Sequence, residues 1–160
     1  MKKMIAILFT LCVFLGSCGK ADYANTIPCD DITSSLREEL LGAELYQEFN
    51  DNDVKFIFDS SDLYDSSSVI FSVSSDDIGE VGVFHAKDSE SAQKLLDEAI
   101  DYVENMKDEK HEFLKNYMPS ELNKLNCADA RAFGNYVIYT VLPADRTEEV
   151  FTFVEKKLGK

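Results

Sequence analysis

Residues 68–106 read SVIFSVSSDDIGEVGVFHAKDSESAQKLLDEAIDYVENM, and this stretch decides the fold. Two β-rich runs, residues 68–74 and 80–86, flank the turn-like sequence DDIG, which predicts an antiparallel hairpin. Asp88 and Ser89 then offer side chains that cap the start of a helix. Behind them, apolar residues recur every three or four positions, as one face of a helix requires: Ala92, Leu95, Leu96, Ala99, Ile100, Val103 and Met106. The stretch therefore predicts a hairpin followed by a long amphipathic helix.

The end of this helix is expected between Lys107 and Asn116, because Pro119 cannot donate the hydrogen bond that continuation would need. Tyr117 and Met118 lie in the expected loop and carry largely apolar side chains, which suit a contact with another protein. The alternative is that Tyr117 packs back onto the end of the helix. We take Tyr117 and Met118 as the candidate contact patch.

The same order of elements recurs near the C-terminus. Residues 127–133 and 136–142 predict a second hairpin around a Gly-Asn turn, and Asp145 lies at the start of a final amphipathic stretch. Residues 33–41 predict an N-terminal helix, whereas residues 43–65 fit neither a helix nor a strand throughout. We therefore expect an α+β domain. Its two ββα units would form a four-stranded antiparallel sheet with helices on one face.

The first 18 residues, MKKMIAILFTLCVFLGSC, indicate where the protein is located. A short basic start precedes an apolar run that has the length of a secretory signal and is too short to span a bilayer comfortably. Small residues then precede Cys18, as in a bacterial lipobox. We predict a lipoprotein signal peptide over residues 1–17 and lipid attachment at Cys18. Residues 18–31 would form a flexible tether, and residues 32–160 a single domain. An ordinary cleaved signal or an uncleaved anchor is the alternative.

The composition limits the partners. The chain has 16 basic and 30 acidic residues and a net charge of −14, so it repels phosphate backbones and anionic headgroups. Nucleic acid is therefore not expected as a partner. Attachment to the membrane would depend on the acyl chains, since the sequence has no polybasic patch. The expected location is the outer, extracytoplasmic face of the cell membrane.

Two cysteines remain once Cys12 leaves with the signal and Cys18 carries the lipid. Cys29 and Cys127 would form a disulfide that closes a long loop and stabilises the fold by ~4 kcal/mol. Two independent buried thiols are the alternative. The spacing of the pair shows no zinc signature.

No catalytic or cofactor motif emerges from the sequence. The chain has two histidines: His85, expected at the rim of a strand, and His111, expected in solvent. There is no Gly-x-Ser-x-Gly elbow, His-Glu-x-x-His motif or phosphate-binding glycine loop. The acidic run at residues 50–53 lacks the glycine and glutamate positions of a calcium loop. We therefore expect neither an enzyme nor a metal or cofactor site.

The order of several short motifs resembles that of a known family. EVGVF at residues 80–84 leads into the long helix, YMPSEL follows at 117–122, and GNYV at 134–137 precedes the terminal helix. This order, over about residues 33–158, resembles the domain of unknown function 4358, whose members are mostly lipoproteins or signal-bearing proteins of anaerobic, largely Gram-positive bacteria. The resemblance implies an α+β domain outside the cytoplasmic membrane. It implies no catalytic residue or ligand.

Taken together, these observations favour a lipid-anchored, non-catalytic interaction or accessory module of the cell envelope, with an unidentified envelope protein as its partner. A small-ligand-binding lipoprotein is the main alternative, and it requires an apolar cavity between sheet and helices. A carboxylate-dependent cell-wall enzyme is the third, and it requires two carboxylates in one cleft, one with a raised pKa.

Overall fold

The computed structural model describes residues 23–58 and 60–159, so the predicted signal peptide and Cys18 lie outside the described residues. The strands are β1 (Tyr46–Glu48), β2 (Tyr64–Ser72), β3 (Glu80–Ala86), β4 (Asp129–Phe133) and β5 (Tyr136–Val141). The helices are α1 (Cys29–Leu36) with a π-helical extension (Arg37–Leu41), α2 (Asp51–Ile57), α3 (Ser89–Tyr117), a 3-10 turn (Pro119–Glu121) leading into α4 (Leu122–Asn126), and α5 (Ala144–Leu158). No helix in the described ranges is both long and apolar enough to cross a membrane.

The five strands form one antiparallel sheet in the order β1-β2-β3-β5-β4. The α+β class and both hairpins are confirmed, but the sheet has five strands where four were predicted. The additional strand, β1, comes from the ambiguous residues 43–65. It contains only three residues, Tyr46 to Glu48. A strand this short cannot show the alternation by which strands are recognised in a sequence.

The helices cover both faces of the sheet, which corrects the prediction that they lie on one face. Phe84 packs in the core under α3, whereas its neighbour Val83 packs in a separate core with α1 and α5. All six residues of β5 are buried, and so are six of the seven residues of β3. Their sequences, EVGVFHA and YVIYTV, carry apolar residues at consecutive positions instead of in strict alternation, as is typical of strands that are covered on both faces. The ββα order therefore recurs with its two helices on opposite sides.

The N-terminal segment of residues 23–28, here called the strap, is packed against the domain. A β-bridge joins Tyr23 to Gly159, and the amide of Ala24 donates to the carbonyl of Leu158 at 2.7 Å. Residues 29–31 then form the first turn of α1, in which Cys29 is fully buried. The flexible tether predicted for residues 18–31 is thus corrected over residues 23–31. The packed domain begins no later than Tyr23 instead of at residue 32.

The two ends of the sheet are here called the strap end, which the strap contacts, and the far end. At the strap end, β3 finishes at Ala86 and β5 begins at Tyr136; at the far end, β3 begins at Glu80. Helix α3 starts at the strap end, where the side chain of Asp88 accepts from the amide of Ser91 as predicted for an N-cap. It reaches the far end at Tyr102, whose hydroxyl donates to Glu80.

Helix α3 continues through residues 103–117, one residue beyond the predicted limit of Asn116. At 1.5 Å per residue, this part of the helix is about 22 Å long. Helix α4 folds back along it: Leu114 on α3 and Leu125 on α4 belong to the same buried cluster. The two helices form a hairpin that extends past the far end of the sheet.

Candidate contact surface

Two aromatic side chains are exposed on the outer side of this helical hairpin. Phe113 and Tyr117 have 56% and 75% of their surface exposed, and their ring centroids lie 5.2 Å apart. Their i, i+4 spacing on α3 puts both rings on one side of the helix. We call Phe113 and Tyr117 the aromatic pair.

The aromatic pair differs from the predicted patch by one residue. Tyr117 is at the surface as expected, but Met118 is only partly exposed and packs against the core under α3. The sequence prediction omitted Phe113 because residues 107–117 were not assigned to a helix throughout. Continuing the helix to Tyr117 would have put the two aromatic residues on one face.

An ion network attaches the helical hairpin to the turn between β2 and β3. The Lys124 ammonium lies 2.6 Å from Asp77 Oδ1 and 2.8 Å from Glu121 Oε2, and the amide of Ile78 donates to Glu121 at 3.2 Å. Burial alone would raise the pKa of Asp77 and lower that of Lys124. Burial is the largest single influence on each group, but the hydrogen bonds and the charge attraction together outweigh it, so the pKa of Asp77 falls and that of Lys124 rises. The charges therefore persist at neutral pH and hold the hairpin in place.

A buried carboxylate fixes α3 at the far end of the sheet. Glu80 is only 9% exposed, and it accepts hydrogen bonds from the hydroxyls of Tyr139 at 2.6 Å and Tyr102 at 2.9 Å. Burial raises the pKa of Glu80, although both hydrogen bonds oppose the shift. Burial and the neighbouring carboxylate raise the pKa of both tyrosines, so they remain donors. Glu80 joins the sheet to α3, and its partners are two tyrosines rather than a second carboxylate.

His85 connects the sheet to the strap. Its Nδ1 lies 2.7 Å from Asp65 Oδ1, its Nε2 lies 2.8 Å from Asn25 Oδ1, and its side chain is 15% exposed. His85 therefore lies near the end of its strand as predicted, but its ring is covered by the strap and is not mainly exposed to solvent. A hollow of about 260 Å³ lies beside it, lined by the strap together with Ser66, His85 and Tyr136. His111 is exposed, as expected.

The acidic run at residues 50–53 and the larger surface hollows show no features of a metal or ligand site. The acidic run at residues 50–53 forms the start of α2, where Asn50 Oδ1 accepts from the amides of Asn52 and Asp53. Within the described ranges, no group of three or more His, Cys, Asp or Glu side chains could hold a metal ion. Two larger hollows, of about 420 and 500 Å³, lie beside Phe153 on α5 and Glu98 on α3. Both are wide open to solvent, and charged residues are four of the seven that line the first and five of the seven that line the second.

Both candidate cysteines are free thiols, so the predicted disulfide is absent. Cys29 lies in the core under α1 and α5, whereas Cys127 follows α4 beside Leu125 and Ala128, which belong to the core under α3. The sheet therefore separates the two side chains. Burial raises the pKa of the Cys29 thiol to about 11, which leaves it protonated and unreactive at neutral pH.

Alkylation under native conditions should therefore modify Cys127 and spare Cys29. Peptide mapping by mass spectrometry can follow each residue separately, without reductant. In denaturant, both cysteines should react to completion. Resistance of both cysteines in denaturant, relieved only by a reductant, would show that a disulfide is present after all.

One of the comparisons with known proteins finds a match, and that match is to a family. No curated protein and no solved structure matches the chain. A family model described as "Domain of unknown function (DUF4358)" matches residues 43–142, a shorter range than the predicted likeness over residues 33–158. The matched range contains all five strands and the helical hairpin, and it excludes α1 and α5. Because this match covers more than half of the sequence, the chain belongs to the DUF4358 family.

Proposed function

We propose that this protein is a lipid-anchored, non-catalytic interaction module on the outer face of the cell membrane. The aromatic pair would be its main contact with a protein partner. The observation that carries this proposal is that Phe113 and Tyr117 are exposed side by side near the end of the helical hairpin. The apolar side chains that join the two helices, Leu114 and Leu125, are buried, so the aromatic pair is not needed for that packing. Aromatic rings spaced i, i+4 on a helix are the type of anchor that fills a groove on a partner.

The location follows from the sequence. The apolar run, the small residues before Cys18 and the cysteine itself all favour one lipidation event. A mature protein that begins at Cys18 would carry its own acyl chains, and two or three such chains suffice for stable anchoring.

The test is the capture of a partner from intact cells. Cells would express the full chain, be cross-linked, and release the protein for mass spectrometry. We expect one protein to be recovered at near-equal amount with the wild type. The double variant Phe113→Ser/Tyr117→Ser should recover it at least ~30-fold less, as the loss of a hot spot worth about 2 kcal/mol implies.

A matched control is available on the same helix. Glu112 and Lys115 form an exposed ion pair at 3.5 Å, so Glu112→Ser/Lys115→Ser alters the neighbouring surface without changing the net charge. Exposed pairs of this kind contribute little to stability, and this variant should capture the partner as the wild type does. Equal capture by the aromatic double variant would exclude the pair as the contact. The absence of any partner with the wild type would refute the interaction module.

A further inference from the structure

We infer that the strap fixes the orientation of the domain on the membrane. The strap end of the sheet faces the bilayer, and the aromatic pair is held away from the bilayer. The partner would then be the extracytoplasmic domain of a protein, rather than the bilayer or a transmembrane helix. This inference rests on the proposed function, because it assumes that Cys18 carries the lipid and that the aromatic pair is the contact.

The strap is attached along its length by backbone and side-chain contacts. Tyr23 places its ring edge-on to Phe133, with centroids 5.9 Å apart, and its hydroxyl lies 3.4 Å from Glu155. Its β-bridge to Gly159 and the bond from Ala24 to the Leu158 carbonyl add two backbone contacts with the end of α5. The start of the strap is thus joined to the C-terminal end of α5.

Two further contacts hold the second half of the strap. The Tyr136 hydroxyl accepts from the amide of Ile27 at 2.9 Å and donates to the carbonyl of the same residue at 2.7 Å. His85 bridges Asn25 on the strap to Asp65 on β2, and its ring lies 4.7 Å from the ring of Tyr136. A segment whose amides and side chains are paired in this way does not behave as a flexible coil.

The chain between the lipid and the strap is short. Tyr23 comes five positions after Cys18 in the sequence, and five fully extended residue steps reach at most ~18 Å. The strap end of the sheet must therefore stay near the headgroups. The net charge of −14 opposes contact between the sides of the domain and an anionic membrane.

The aromatic pair lies at the opposite end of the molecule. Helix α3 begins at Ser89 beside the strap end and reaches Tyr117 after 29 residues, a length of about 43 Å. With the strap end at the membrane and α3 along the membrane normal, the pair stands up to ~40 Å above the strap end. A transmembrane helix cannot reach this height, whereas a folded extracytoplasmic domain can.

Energy transfer to the membrane surface tests this orientation. The full-length lipoprotein, carrying Cys127→Ser, would be reconstituted in phosphatidylglycerol-containing vesicles with an acceptor dye on the headgroups. A donor dye would be placed at Lys87→Cys near the strap end, or at Ser120→Cys on the helical hairpin. Both positions are exposed, and neither belongs to the aromatic pair. We expect transfer from position 87 to exceed transfer from position 120 at least twofold.

Two variants show whether the strap causes this difference. A flexible 20-residue Gly/Ser linker inserted before Tyr23, with a mean reach of ~25 Å, should reduce the difference between the two positions. The double variant Asn25→Ala/His85→Ala, checked for folding by thermal melting, should reduce it as well. Equal energy transfer at positions 87 and 120 in the wild type would overturn the inference. A difference in transfer that persists in full in both the linker variant and the double variant would overturn it as well.

Partner capture in detergent separates this inference from the proposed function. Detergent removes the bilayer, so capture through the aromatic pair does not depend on orientation. Retained capture together with equal energy transfer would overturn the inferred orientation and leave the interaction module standing. If the protein failed to attach to vesicles, the lipid anchor would be refuted, and the inferred orientation with it.

Discussion

Replacing Gly82 with alanine should destabilise this protein more than any other single methyl addition that we can identify in the sheet. A Cβ atom at position 82 would lie 2.0 Å from Cε1 of Tyr139, whose ring covers this glycine from the neighbouring strand. The ring cannot move freely, because Tyr139 is fully buried and its hydroxyl is bound to Glu80. Overpacking of this kind costs about 3 kcal/mol, which chemical denaturation would measure as a lower midpoint with an unchanged slope.

A double-mutant cycle identifies the cause. Tyr139→Leu removes the ring that alanine would strike, so Gly82→Ala should cost much less in that background than in the wild type. If the cost is the same in both backgrounds, the ring of Tyr139 is not what makes glycine necessary at position 82.

Removal of the Glu80 carboxylate should be the second large effect. Glu80→Ala leaves the hydroxyls of Tyr102 and Tyr139 without their shared acceptor, in a site from which water is largely excluded. The unpaired buried hydroxyls should lower the free energy of unfolding by about 2–4 kcal/mol. Glu80→Gln keeps an acceptor oxygen and should lose clearly less. Equal losses in the two variants would show that the hydrogen bonds are not the main contribution.

The difference in stability between the wild type and Glu80→Gln should depend on pH, in a direction that the pKa of Glu80 determines. Burial raises the pKa of Glu80 in the folded protein, so over an interval of pH the folded state binds a proton that the unfolded state has released. The contribution of Glu80 to stability is therefore complete below the pKa of an unfolded glutamate, about 4.3. It is lost as the pH rises through the folded pKa.

Glutamine at position 80 does not titrate. The stability of the wild type relative to Glu80→Gln should therefore fall as the pH rises from about 4, as measured by urea unfolding at a series of pH values. A relative stability that rose with pH would mean that the folded pKa is lowered, and the burial argument would fail.

Several elements were predictable because their signals are local. The N-cap at Asp88, the apolar stripe of α3 and the positive-φ glycine at position 134 between β4 and β5 each depend on a few neighbouring residues. The two hairpins follow from runs that are long enough to show strand character. Strand β1 was missed because three residues cannot show such character, and it forms by pairing with β2 along the register Tyr46 to Ser72.

The candidate surface was only partly predictable. Tyr117 stands out in the sequence as an aromatic residue before Pro119, but its partner Phe113 does not, because both belong to one surface only if α3 continues to Tyr117. The contacts that support this length are distant in sequence: Lys124 with Asp77, and Leu114 with Leu125. Packing against α4 stabilises a helix end that local signals leave undecided.

By itself, the sequence determined the α+β class, the order of hairpins and helices, the acidic charge and the prediction of a lipid anchor, since each depends on composition or short-range periodicity. Only the tertiary structure decided which face of the sheet each helix covers, that Cys29 and Cys127 lie on opposite sides, and that residues 23–28 form a strap bound to His85 and Tyr136. These features depend on contacts between residues far apart in the chain. Such contacts form only when the folded sheet brings residues 23–28 next to strands and a helix that are distant in the sequence.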